Sequence, residues 1–173
     1  MTTPSAAQMA FAAKIKTDFA RSTGDDKYLS TQVLASILAT DNAFFWIEYH
    51  SELVNVTPSS LSKMALIASA FDADTTAVTA PELVGSEKQV AYAQSIRELF
   101  FKIYTNAWPR LAAHLVDSAS ESSRERWVAS LADLTEHLKT IAVKTSATFW
   151  IENRSGLVSG WVIPLRGIAK VRA

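Results

Sequence analysis

The chain has 173 residues, 49% of them hydrophobic, and its 17 lysines and arginines balance 17 aspartates and glutamates, so it can bury a core and exerts no net field on polyanions. The absence of cysteine excludes a disulfide scaffold, a thiolate nucleophile and any thiolate-bound zinc or iron-sulfur site. Only five glycines and five prolines favour helices over many turn-bounded strands, no apolar run is long enough to span a bilayer, and Met1-Thr2-Thr3-Pro4-Ser5 lacks the form of a signal peptide, so a cytoplasmic all-α protein is expected.

Ser5 is placed to cap a helix from about Ala6 to Arg21, on which Met9, Phe11, Ala12, Ile15 and Phe19 recur at three- and four-residue spacing as one broad apolar face. Ser22-Thr23-Gly24-Asp25-Asp26 ends it, with Gly24 as the stop. A second helix begins near Ser30 and carries Val33, Leu34, Ile37 and Leu38. Asp41 or Asn42 caps a short third one that presents Phe45, Trp46 and Tyr49. Thr57-Pro58-Ser59-Ser60 opens a further helix from Leu61 to about Phe71, and the polar stretch from Asp72 to Gly85 reads as a linker.

From Ser86 the pattern restarts. Residues 5–19 align without a gap on residues 86–100, with six identities in fifteen positions, and residues 43–54 align on 147–158 with eight in twelve. Thr31, Leu34 and Ile37 match Thr135, Leu138 and Ile141 at the second offset. The offset rises from 81 to 104, which places 23 extra residues in the second half, around Trp108-Pro109 to Trp127. A tandem duplication of a three-helix unit, packed as one compact helical bundle, is therefore expected. Its divisions are a degenerate first repeat (1–57), a connecting helix and linker (58–85), a second repeat with an insertion (86–158) and a basic C-terminal tail (159–173). In that tail Trp161-Val162-Ile163-Pro164-Leu165 is extended in character, as a strand or as a segment laid over the body.

Two stretches, Lys88-Gln89-Val90-Ala91-Tyr92-Ala93 through Ile96-Arg97 and Phe149-Trp150-Ile151-Glu152-Asn153-Arg154, make the second repeat resemble a small helical module of bacterial and phage proteins. That module has the pattern Lys-Gln-Ile-x-x-Ala-x-x-Ile-Arg, then Phe-Trp-Ile-Asp/Glu-Asn-Arg, and no established activity. The resemblance covers half of the second repeat and, more faintly, the first. It implies a phage or mobile-element setting and no particular reaction. The first half departs from it at Ala7, Tyr49 and His50, which stand where the second has Lys88, Asn153 and Arg154.

Phe-Trp-Ile-Glu, common to both halves, suits a packing key, since aromatic side chains of this size dominate small cores. Glu48 and Glu152 are expected to pair with Lys16 and Arg97, joining the first and third helices of each repeat. Asn153 and Arg154 cap a helix end in the bland reading. In the sharper one Lys88, Asn153, Arg154, Trp161, Arg166, Lys170 and Arg172 form a surface for an acidic or phosphate-bearing partner. Residues 86–173 carry twelve basic and eight acidic side chains, which makes that half the basic one. His50, His114 and His137 have no second ligand at helical metal spacing, and no nucleophile elbow, phosphate loop or HExxH motif occurs. No catalytic residue, cofactor or metal is expected. The first hypothesis is a non-enzymatic binding protein that blocks or sequesters a host protein, as an anti-defence inhibitor does. The alternatives are a nucleic-acid-binding accessory protein using the basic C-terminal half, and an enzyme with an unfamiliar site.

Overall fold

Ser5 and Ser86 each open a long helix in the same way. A computed structural model describes residues 3–24, 30–73 and 79–158. In α1 (Ala6–Thr23) Ser5 Oγ accepts from the Gln8 amide, and Gln8 Oε1 accepts from the Ser5 amide at 2.8 Å. In α6 (Glu87–Asn106) Ser86 and Gln89 form the same reciprocal pair. Each box satisfies two amides that a helix start otherwise leaves open. The described residues are all-α, and they fall into two compact units, 1–74 and 75–173.

The first unit adds α2 (Thr31–Leu38), α3 (Ala43–Glu48), α4 (His50–Val54) and α5 (Pro58–Asp72). Asn42 is the α3 cap, its Oδ1 accepting from the Phe44 amide, while Asp41 is turned to Lys16. A Thr57–Ser60 box with Pro58 in the first turn starts α5. The α3 helix packs on α1, and α5 lies against both α2 and α3. Ile15, Phe19, Ile37, Phe45, Trp46, Leu61, Met64, Ile67 and Phe71 are buried between them. The helix expected to connect two repeats is thus a wall of the first unit. Its Phe71 ring lies 5.8 Å from Phe45 and 5.9 Å from Tyr49, and Asn42 Nδ2 donates to Phe71 O. Gly24 ends α1 with a right-handed φ of −63°, so it stops the helix without the left-handed turn its residue type suggested.

The second unit contains α6, α7 (Trp108–Asp117), α8 (Glu121–Ala142), α9 (Ala147–Glu152) and α10 (Arg154–Val158). The bounds of α9 and α10 are those of α3 and α4 shifted by 104. Both pack on α6, and α7 packs on α6 and α8. The 23 additional residues therefore supply α7 and the first part of α8, a hairpin tied by Trp108 Nε1 donating to Thr135 Oγ1. The second half of the expected linker is structured. Leu83 is buried, and Val84 forms a parallel bridge in which its amide donates to Thr145 O at 2.7 Å and its carbonyl accepts from Ala147. Gly85 is required there, because a Cβ would stand 2.9 Å from that of Ala147. The tail 159–173, with its expected extended segment, lies outside the described residues.

Candidate functional site

The aromatic helix is fixed in both units by one repeated hydrogen bond. Trp46 Nε1 donates to Thr40 O at 3.1 Å, and Trp150 Nε1 donates to Lys144 O at 3.0 Å. Each indole thus closes back on the carbonyl six residues before it, ahead of its own helix. Both tryptophans are buried, Trp46 against Phe19 and Phe45, Trp150 against Phe100 and Phe149. Removing an indole of this size from water is worth roughly 4–6 kcal/mol in gross terms, which suits the packing role expected from the sequence.

Lys16 and Arg97 are each held by groups that the sequence pattern did not single out. Lys16 Nζ is 2.8 Å from Asp41 Oδ1, donates to Thr40 O at 3.1 Å and lies over the Trp46 ring, so it serves the start of α3. The lysine beside Asp41 holds that carboxyl below its ordinary range. Arg97 is 8% exposed and donates 2.6 Å bonds to Pro81 O and to Gln94 Oε1, whereas Glu152 is exposed. Burial pulls the Arg97 pKa down, and two short acceptors offset the desolvation of its charge. Both cations therefore fasten chain segments to the long helix through backbone carbonyls. An inventory of side-chain charges does not reveal such acceptors.

Of the seven residues expected to form a binding surface, Trp161, Arg166, Lys170 and Arg172 lie outside the described residues. Lys88 is exposed in the first turn of α6. Asn153 is occupied structurally, since its Nδ2 donates to Phe149 O at 2.8 Å and its amide donates to the same carbonyl, which closes the end of α9. Arg154 is half-buried at the start of α10, which packs on α6, the helix that carries Lys88.

Two further aromatic residues, one in each unit, are half-exposed. Phe11 and Tyr92, matched at the offset of 81, are 46% and 49% exposed, and Met9 is 49% exposed. Ala12, Ile15 and Phe19 form the buried stripe of α1, as Ala93, Ile96 and Phe100 do on α6, while Phe11 and Tyr92 lie off it. Three- and four-residue spacing admits both stripes, which is why Phe11 read as core. The Phe11 ring meets His50 edge-on at 5.8 Å, and beside that pair α1 and α4 border an apolar groove lined by Ile15, Phe19, Leu53 and Val54. His50 and Arg154 occupy corresponding positions on α4 and α10. Each unit thus presents an outward aromatic residue on its long helix and a cationic or aromatic side chain on the short helix packed against it.

Among the described residues no three His, Asp or Glu side chains converge in a way that would hold a metal ion, and no helix is long and apolar enough to cross a membrane. No family model matches the chain, and no curated protein or solved structure is significantly similar to it.

Proposed function

We propose that this chain is a non-enzymatic binding protein that arose by duplication of one helical unit and acts by occupying the surface of another protein. The observation that carries this is the pair Phe11 and Tyr92, large aromatic side chains turned outward at the same place on the first helix of each unit. Each is about half exposed and lies off the buried stripe of its helix. Aromatic and arginine side chains are the groups that anchor protein interfaces, and Tyr92 shares its unit with Arg154 and Lys88. Blocking or sequestering a partner needs only such a surface, and the phage or mobile-element setting implied by the sequence resemblance supplies an occasion for it. The test is co-purification of the tagged protein from the cell that makes it, with Phe11→Ser and Tyr92→Ser variants alongside. A stoichiometric protein partner is expected, and it should be lost with the variants while their helical signal persists. Capture unchanged by both substitutions would overturn the proposal.

A nucleic-acid-binding accessory role rests on the charge division. Residues 1–74 hold five basic and eight acidic side chains, and residues 75–173 hold twelve and nine. Affinity for a nucleic acid that falls steeply as salt rises would favour this reading, and no binding at low salt would remove it.

A further inference from the structure

The groove between α1 and α4 has a volume of about 160 Å3, with Ile15, Phe19, Leu53 and Val54 as its apolar lining and Asp18, Ser22 and His50 as its polar edge. At the two offsets that relate the units, the four apolar residues recur unchanged in the second unit as Ile96, Phe100, Leu157 and Val158. The edge does not recur, because Leu99 and Ile103 stand in place of Asp18 and Ser22. Exposure follows that exchange. Val54 is 69% exposed, whereas Val158, Ile103 and Leu99 are all buried. One and the same apolar lining is thus sealed in the second unit, among further apolar side chains, and left open in the first behind a polar edge.

Size and charge say what the open groove fits. An apolar cavity of about 150 Å3 holds one molecule of benzene, so the groove matches a single phenyl ring or branched aliphatic side chain. At its edge Ser22 Oγ donates back to Phe19 O at 3.0 Å, and His50 lies edge-on to Phe11. Asp18 meets Arg21 at 3.5 Å, the limit of an ion pair's hydrogen bond, and half of its side chain stays in solvent. It belongs to the unit with five basic and eight acidic side chains, so a cation beside the entering group is the complement. The half-exposed Phe11 adjoins the groove through His50, which joins an outward aromatic residue to a hole of ring size. Interfaces anchor through such pockets, in which one large side chain is desolvated.

We propose that this groove receives one phenylalanine- or leucine-sized side chain of a partner protein, next to a lysine or arginine of that partner that pairs with Asp18. The proposal rests on the reading of the chain as a binding protein, and it makes the first unit the one that accepts the anchor.

The full chain, with its isoleucine, leucine and valine methyl groups labelled, is titrated by NMR with acetyl-Phe-Lys-amide and with acetyl-Phe-Glu-amide. Saturable shifts are expected at Ile15, Leu53 and Val54, and the lysine probe should bind about two- to fivefold more tightly, the range of an exposed ion pair. Asp18→Asn should remove that preference. Val54→Trp and Ser22→Phe, both at exposed positions, fill the groove and should each abolish the shifts at Ile15 and Leu53 with the helical signal intact. Absence of saturable shifts, or shifts that survive both filling variants, overturns the groove as a site. Equal binding of the two probes overturns the neighbouring cation. Toluene binding at these methyl groups without binding of either peptide would assign a free apolar molecule and overturn the partner's side chain. A dimer in sedimentation that Val54→Trp dissolves would assign a second copy of the chain and overturn it equally. The two readings fail separately. Capture from the cell that is lost with Phe11→Ser but kept in full by both filling variants overturns the groove and leaves the binding protein standing. No captured protein despite saturable probe binding overturns the binding protein, and the partner with it, but not the groove.

Discussion

Replacing each buried tryptophan by phenylalanine separates the two units by a single hydrogen bond. Trp46→Phe and Trp150→Phe remove the same atoms from equally buried sites, so the transfer and cavity contributions largely cancel between them. They differ in what remains on the acceptor. Thr40 O keeps Lys16 Nζ at 3.1 Å after Trp46→Phe, whereas Trp150 Nε1 is the donor that Lys144 O has in the structure. A buried carbonyl left without a donor costs about 1–3 kcal/mol, and the partial burial of this bond argues for the lower end. Trp150→Phe is therefore expected to cost about 1 kcal/mol more than Trp46→Phe, or about 4–8 °C in the melting of a unit of this size. Amide exchange followed by mass spectrometry, read separately over residues 3–73 and 79–158 of the full chain, measures the two. Lys16→Met combined with Trp46→Phe should bring the first unit to parity, with a coupling between the two changes of the same size. Equal costs for the two tryptophans, or additivity in the double variant, would refute the reasoning.

Glu152→Ala should leave stability within about 0.5 kcal/mol of the parent, as an exposed substitution does, while Arg97→Ala destabilises the second unit and the two effects add. Strong coupling in denaturant titrations would restore the ion pair expected from the sequence. A fragment beginning at residue 79 should be more stable than one beginning at residue 86 by roughly 2 kcal/mol, since the shorter one loses the burial of Leu83 and the Val84 bridge. Equal unfolding midpoints would return residues 79–85 to the status of a linker. Tyr49 is buried, and burial with Glu52 and Glu48 nearby raises its pKa well above the usual 10.0. Its stabilising contribution is full below pH 10.0 and is lost as pH rises toward the folded value. Alkaline titration should therefore show Tyr49 ionising together with unfolding of the first unit, and Tyr49→Phe should delay that unfolding. An unshifted alkaline midpoint in Tyr49→Phe would contradict this.

Local features of the fold were legible because they are written in neighbouring residues. Ser5 with Gln8, Ser86 with Gln89, Thr57 with Pro58, and Asn42 ahead of Phe44 are signals complete within four positions. The aromatic helices were legible as a pair because Ala43–Glu48 and Ala147–Glu152 differ at one residue. What escaped depends on groups the sequence does not display. Lys16 and Arg97 donate to the carbonyls of Thr40 and Pro81, and a backbone acceptor becomes available only where the chain returns to the helix. The place of α5 was obscured because a helix between two similar segments reads as a connection until Phe71 is seen against Phe45 and Tyr49. Phe11 and Tyr92 were hidden in an apolar pattern broad enough to hold a core stripe and an outward one.

A comparison of Trp150→Ala with Tyr92→Ser, both in the full chain and each followed for unfolding midpoint and for partner capture, tests most directly whether the second unit divides into a packing key and a binding surface. Trp150→Ala is expected to destabilise the second unit by about 3–5 kcal/mol, while Tyr92→Ser shifts its stability by less than about 0.5 kcal/mol and abolishes capture. A Tyr92→Ser variant that melts early, or one that folds normally and captures its partner in full, would contradict that division.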